Sequence, residues 1–256
     1  MKKYSLTLFL CALFVHFTYT KDVQQLVKDF SGNNWEDVLN AKYELEDYEA
    51  KALKDIIVLL DEDKTIKLTN TGDLIYPGAA KFYGHGMIVD YDIDNLIIRA
   101  GWLLEEITFE NFGFSTIHER DENLDNLIMQ NFKDFLTPAY KDKIEKMTAD
   151  EKRIEMKKMA VKKAKDWYMN ESDGWKRLTG IVDALYSDDA RRQILALQYL
   201  RYDNTKCAGL SIETYLDELK SRIVYLSKSK ITRISEQAIY ILNDTDFEFI
   251  RIKSSN

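Results

Sequence analysis

The sequence predicts an all-α fold, either an irregular helical bundle or a short α-solenoid, with one loop-rich insertion near residues 65–93. Proline occurs only twice in the 256 residues, and six of the ten glycines lie between Gly72 and Gly113. The residues that break helices are therefore concentrated in one segment. Elsewhere, apolar residues recur at the three- and four-residue spacing of amphipathic helices.

Capping signals mark where several of these helices begin. Asn34 precedes two acids, and Thr148 with Glu151 forms a capping box, in which each side chain satisfies a free backbone amide of the other. Residues 187–189 supply a cap and two acids to the positive end of another helix. The tail 247–252 is predicted as a short strand or an extended end. The predicted helices span 22–30, 35–42, 45–60, 94–108, 122–136, 149–169, 174–186, 188–203, 211–227 and 230–242.

The first twenty residues have the layout of a secretory signal peptide. Lys2 and Lys3 precede an apolar run over 6–17, which is too short to span a bilayer, and cleavage is expected after Thr20. We therefore predict a secreted or periplasmic protein with no stable membrane span after cleavage.

The best candidate for a domain boundary is the break at Thr137 and Pro138. It divides the chain into a signal peptide (1–20), an N-terminal helical half (21–137) and a C-terminal helical half (138–256). One continuous domain over 21–256 is the alternative.

Charge and cysteine content exclude some function classes. The net charge is −7, and removal of the predicted signal peptide makes it more negative, which argues against nucleic acid as a partner. Only Cys207 would remain after cleavage, so an intramolecular disulfide is excluded and the core must be self-sufficient. No phosphate-cradling or dinucleotide motif is present, and no cofactor or metal is predicted.

Two predicted helices share a local pattern. Residues 94–105 and 188–197 each begin with acids, place an arginine several residues later, and then alternate small and large apolar residues. This pattern resembles the second helix of HEAT-type repeats, where small residues allow adjacent helices to pack closely. The resemblance implies a HEAT-like α-solenoid, while an irregular bundle explains the pattern equally well.

Residues 72–114 differ from the rest of the chain because they are rich in glycine and aromatic residues. This segment is similar to one in a family of uncharacterised bacterial secreted proteins. The resemblance implies an all-helical fold and supplies no catalytic residues. The aromatic residues fit either a packed core or a recognition groove for a peptide or glycan, with Tyr83 and Trp102 as anchors.

The same segment contains the candidate polar residues. His85 could form an acid–base pair with Asp90 or Glu105. Asp90, Asp92 and Asp94 alternate as at the start of a calcium loop, but the glycine and glutamate that an EF-hand requires are missing. We favour a solvated turn in which Asp94 caps the next helix.

The lysine-rich residues 151–166 are predicted to form a surface helix with a solvated basic face. A membrane-binding helix is the alternative, but alanines occupy positions where it would carry bulky apolar residues.

From the sequence we predict an exported module that binds a protein or peptide, and its oligomeric state is left open. The candidate binding residues are Tyr83, His85, Asp90, Asp92, Trp102 and Glu105. The alternative is a hydrolase or metal-assisted enzyme centred on His85 and the nearby acids.

Overall fold

The computed structural model describes residues 22–79, 86–203 and 206–243. Helices dominate these residues, and the prediction of an all-α fold is confirmed. The predicted signal peptide and the tail 247–252 lie outside the described residues.

The three N-terminal helices are present, but the second ends five residues later and the third begins five residues later than predicted. They are α1 (Val23–Phe30), α2 (Trp35–Asp47) and α3 (Ala50–Val58), and α3 continues into a 3₁₀ turn at Leu59–Asp61. Asn34 caps α2 as predicted, because its side chain accepts a hydrogen bond from the Glu36 amide.

The glycine-rich segment contributes two short parallel strands, β1 (Leu74–Ile75) and β2 (Met87–Ile88). The Met87 amide donates to the Asp73 carbonyl at 2.8 Å. A side chain on Gly86 could not fit here, because its Cβ would lie 2.1 Å from that same carbonyl oxygen. Gly86 thus lets two backbones approach closely.

Helix α4 (Leu96–Thr108) lies at the centre of the fold, and nearly every residue of it is buried. Such a helix needs neighbours on all sides, and it contacts α2 and α3 as well as two helices that follow it in the chain. Asn95, rather than Asp94, caps it by accepting from the Ile98 amide at 3.2 Å.

Arg99 on α4 is fully buried and joins three segments of the chain. Its guanidinium donates to the carbonyl oxygens of Phe30 at 2.9 Å, Gly32 at 2.7 Å and Ile66 at 3.2 Å, and its Nε donates to Ile93 at 2.6 Å. Burial lowers the pKa of Arg99 to about 10, so the group remains charged at neutral pH. Arg99 therefore satisfies carbonyl groups that the surrounding loops leave unpaired.

The middle of the chain contains α5 (Leu124–Asn131), α6 (Pro138–Glu145) and α7 (Ala149–Glu171). Short 3₁₀ turns lie at Phe114–Thr116, Asp121–Asn123 and Lys133–Phe135. No helix is predicted at α6 from the sequence, but Thr137 caps it and Pro138 occupies its first turn, where proline is tolerated. The capping box predicted for α7 is present.

The lysine-rich α7 bonds to neighbouring segments through much of its basic face. Lys157 contacts Asp63 at 2.7 Å, Lys165 contacts Asp61 at 2.5 Å, and Lys163 donates to the Asn111 carbonyl at 2.6 Å. These contacts give the lysines a structural role within the fold.

The C-terminal helices are α8 (Arg177–Tyr186), α9 (Ala190–Tyr202), α10 (Ile212–Thr214), α11 (Lys220–Leu226) and α12 (Thr232–Asn243). A π-helical turn at Tyr215–Leu219 joins α10 to α11. Asp189 caps α9 by accepting from the amides of Arg191 and Arg192.

The described residues form two hydrophobic cores. The first extends from Leu26 to Ala164 and includes most of α4, and the second extends from Ile181 to Ile241 and also includes Phe109. Phe109 directly follows α4, and Arg192 of α9 donates to its carbonyl at 3.1 Å and to Glu110 at 2.6 Å, which joins the end of α4 to the second core. The boundary predicted near Pro138 stays a prediction.

Among the residues that the structure describes, no helix is both long enough and apolar enough to cross a membrane.

Candidate functional site

A cleft of about 320 Å³ opens where the two cores meet. Helices α2 and α4 contribute one side from the first core, and α8, α9 and α12 contribute the other. Strand β2 and the three residues after it, 87–91, close a third side. Ligand sites are commonly found at such junctions, and this volume is at the small end of their range.

The floor of the cleft carries a buried ion cluster. Lys42 of α2 contacts Glu46 at 2.6 Å and also pairs with Glu106 of α4. The Trp102 indole donates to Glu106 at 2.6 Å, and Lys42 lies 4.7 Å from the Trp102 ring centroid. The cluster therefore joins two helices of the first core through three ionisable groups and one aromatic ring.

The pKa values of the two glutamates in this cluster shift in opposite directions. Burial raises the pKa of Glu46 to about 8, despite the opposing charge of Lys42. Burial also disfavours the charged form of Glu106, but the Lys42 charge and hydrogen bonds from Glu46, Lys42 and Trp102 lower its pKa below the ordinary value. Glu46 therefore holds a proton at neutral pH, while Glu106 is ionised and balances Lys42.

Tyr91 forms one wall of the cleft and connects it to the buried interior. Its hydroxyl donates to Glu105 at 2.5 Å and accepts from Arg191 at 2.7 Å. Glu105 is fully buried, and its other oxygen accepts from the amides of Gly113 and Phe114 at 2.8 and 3.1 Å. Glu105 thus fixes the backbone at Gly113 and Phe114 and holds the Tyr91 side chain in place.

Charged and aromatic side chains lie together at the cleft's mouth. One oxygen of Asp90 is 3.5 Å from Arg191 and 3.7 Å from Arg233. Tyr202 is 65% exposed and Ile88 is 70% exposed, although both are large apolar residues. The mouth therefore offers apolar contact area beside cationic groups.

The aromatic surface continues from the cleft onto α12. The Arg201 guanidinium lies between two exposed rings, 4.8 Å from the centroid of Tyr202 and 3.6 Å from that of Tyr240. These two contacts restrict the arginine side chain, and the two tyrosines form an aromatic patch beside the cleft.

The predicted site residues occupy different environments. Asp90 and Trp102 line the cleft, and Glu105 lies behind its wall. Asp92 does not line the cleft and lies 3.6 Å from His118. Burial lowers the pKa of His118. Tyr83 and His85 lie outside the described residues, so the hydrolase hypothesis centred on His85 stays a prediction.

The three alternating aspartates do not converge. Asp94 is buried and accepts from the Leu68 amide at 2.9 Å and from the Tyr76 hydroxyl at 3.0 Å, whereas Asp90 and Asp92 face the partners described above. Within ranges 22–79, 86–203 and 206–243, no three histidine, cysteine or acidic side chains form a group that could hold a metal ion.

Sequence reasoning did not identify Lys42, Glu46, Glu106, Arg191 or Arg233 as site residues. Lys42 and Glu46 are four residues apart on a capped helix, which is the one local signal that was available. Ordinary surface ion pairs have the same spacing, so the signal does not indicate a site.

Comparison with protein-family models, with curated proteins and with solved structures finds no match to this chain. The HEAT-like resemblance therefore stays a prediction.

Proposed function

We propose that this chain is a binding module that holds a short peptide segment of a partner protein in the cleft between its two cores. The observation that carries the proposal is the combination of exposed aromatic side chains and guanidinium groups at the mouth of one cavity. Tyrosine and arginine are enriched at the energetic centres of protein interfaces.

The size and shape of the cleft favour a narrow segment over a flat partner surface. A volume of about 320 Å³ accommodates a few side chains, and a polar floor lies beneath a mouth that carries both aromatic and charged side chains. The Tyr202–Arg201–Tyr240 patch next to the cleft supplies further contact area for the residues that continue from the bound segment.

The direct test is affinity selection from a synthetic pool of random octapeptides, with retained peptides identified by mass spectrometry. The full-length chain is compared with Gln198→Trp, which places a large ring in the cleft from α9. Gln130→Trp, at an exposed position of α5, is the matched control, because it makes the same change away from the cleft.

We expect the wild-type chain and Gln130→Trp to retain the same peptides and Gln198→Trp to lose them. Retention of the same peptides by all three proteins would place binding outside the cleft. If the wild-type chain retains no peptide, the proposed function is overturned.

We also propose that the chain is exported, on the basis of Lys2, Lys3 and the apolar run 6–17. N-terminal sequencing of the protein recovered from an expressing bacterium tests this proposal. A mature N-terminus at Lys21 is expected, and an intact Met1 on all of the protein would contradict it.

A further inference from the structure

We infer that the cleft recognises a carboxylate of its bound peptide, and that Arg191 and Arg233 hold this group. The inference rests on the proposed function and names the chemistry of the ligand at the same site.

The two arginines share a single carboxylate, and neither contacts it closely. The Asp90 oxygen lies 3.5 Å from Arg191 and 3.7 Å from Arg233, whereas charge-assisted hydrogen bonds are typically about 2.7–2.9 Å long. Asp90 is 44% exposed and Arg233 is 50% exposed, so a ligand can reach the space between them. The arrangement leaves room for a second carboxylate to bind at shorter distances.

The other charges that line the cleft have closer partners. Lys42 pairs with Glu46 and Glu106 on the floor. Arg177 donates to the Tyr199 hydroxyl at 3.1 Å and to the backbone carbonyl of Glu46.

Two carboxylates besides Asp90 lie near the mouth, and neither pairs directly with these arginines. Asp203 lies 3.6 Å from Lys206. Glu105 attracts Arg191, but it is fully buried and separated from it by the Tyr91 hydroxyl. Asp203 also lines the cleft and is 43% exposed, but its ion pair is with Lys206. Among the described residues, Asp90 is the accessible carboxylate that lies within 4 Å of Arg191 and Arg233.

Arg191 is also held in place by the Tyr91 side chain. Its Nη2 donates to Tyr91 at 2.7 Å, and its guanidinium lies 5.5 Å from the centroid of the Tyr91 ring. A guanidinium held in this way loses little freedom when it binds a carboxylate, and its planar donor geometry matches that anion.

The test uses octapeptide pools of matched composition in two forms, with free C-terminal carboxylates and with C-terminal carboxamides. Each form is prepared with and without aspartate and glutamate, which separates the terminal carboxylate from side-chain carboxylates. A mixture of acetate, succinate and benzoate serves as a competitor and tests whether a small carboxylic acid alone can occupy the site. Dissociation constants of the retained peptides are then measured by calorimetry.

We expect peptides that carry a carboxylate to bind about tenfold more tightly than their uncharged counterparts, because a hydrogen bond to a charged group is worth more than one between neutral groups. Arg233→Gln should remove most of this difference, and Asp90→Asn should increase affinity by removing the competing carboxylate. Lys158→Gln, which removes an exposed charge on α7, should change nothing.

Several outcomes would overturn the inference. One is equal affinity for peptides with and without a carboxylate, whether terminal or in a side chain; peptide binding itself would then still stand. Full displacement by the small acids at concentrations equal to the peptide would show that a free carboxylate is the ligand. Weaker binding by Asp90→Asn would show that Asp90 itself contacts the peptide.

Discussion

The Tyr91 hydroxyl donates a hydrogen bond to the buried carboxylate of Glu105 at 2.5 Å, and through this bond the cleft wall is joined to the centre of the fold. The same hydroxyl accepts from Arg191, so one oxygen links a residue of the first core to a helix of the second.

Tyr91→Phe should lower the free energy of unfolding by about 1–3 kcal/mol, because it leaves a buried carboxylate oxygen without its donor while the ring is kept. Urea unfolding measures the change, and Tyr225→Phe is the control, since Tyr225 is exposed. Equal stability of the two variants would show that the Tyr91–Glu105 bond contributes nothing to the fold.

Arg99→Lys should cost at least about 3 kcal/mol, because an ammonium group cannot reach the four carbonyl oxygens that the guanidinium satisfies. Arg153→Lys is the matched control, because Arg153 bonds at the surface to Asp121. Chemical denaturation of both variants is the measurement. A loss below about 1 kcal/mol for Arg99→Lys would mean that water replaces the missing donors.

Gly101→Ala should lower stability by about 1–3 kcal/mol through overpacking, although alanine is the better helix former. A Cβ on Gly101 would lie 2.2 Å from the buried Phe114 ring. Gly72→Ala is the control, since no atom lies within 4 Å of its Cβ position. Thermal unfolding compares the two, and a Gly101→Ala protein as stable as wild type would show that Phe114 can move.

The contribution of Glu46 to stability should fall as the pH rises from about 4.5 to 8, and Glu46→Gln should remove this contribution. The folded protein retains the Glu46 proton up to about pH 8, whereas the ordinary pKa is 4.5, so the folded state binds more protons in this window. The slope contributed by Glu46 approaches about 1.4 kcal/mol per pH unit.

Urea unfolding of both proteins at pH 5, 6, 7 and 8 checks this expectation. Burial also raises the pKa of Glu110 to about 7, but that contribution is common to both proteins and cancels in their difference. Glu122→Gln at the exposed surface is the control. Parallel curves for wild type and Glu46→Gln would contradict the assignment of the proton to Glu46.

Much of the helical structure could be predicted because the signals for it are local. The caps at Asn34 and at Thr148 with Glu151 act within three residues of chain and are present as predicted. Asp94 and Asn95 are neighbours, and either could cap α4. The Asp94 carboxylate instead accepts hydrogen bonds from Leu68 and Tyr76, which are distant in sequence, and Asn95 caps the helix.

The candidate site could be predicted only in part. Asp90 and Trp102 were identified from the composition of one unusual segment, and both line the cleft. Arg191 bonds to Tyr91 across 100 residues of sequence, and no local pattern indicates such a pairing.

By itself, the sequence determined the fold class and the approximate limits of most described helices, because spacing and capping depend on residues within a few positions of each other. Only the tertiary structure decided which charged residues are buried and which of them face the cleft. Whether Arg99 is a surface charge or a buried donor depends on carbonyl groups up to 69 residues away. Those partners are brought together by the packing of helices, and the energy of burying a charge depends on them.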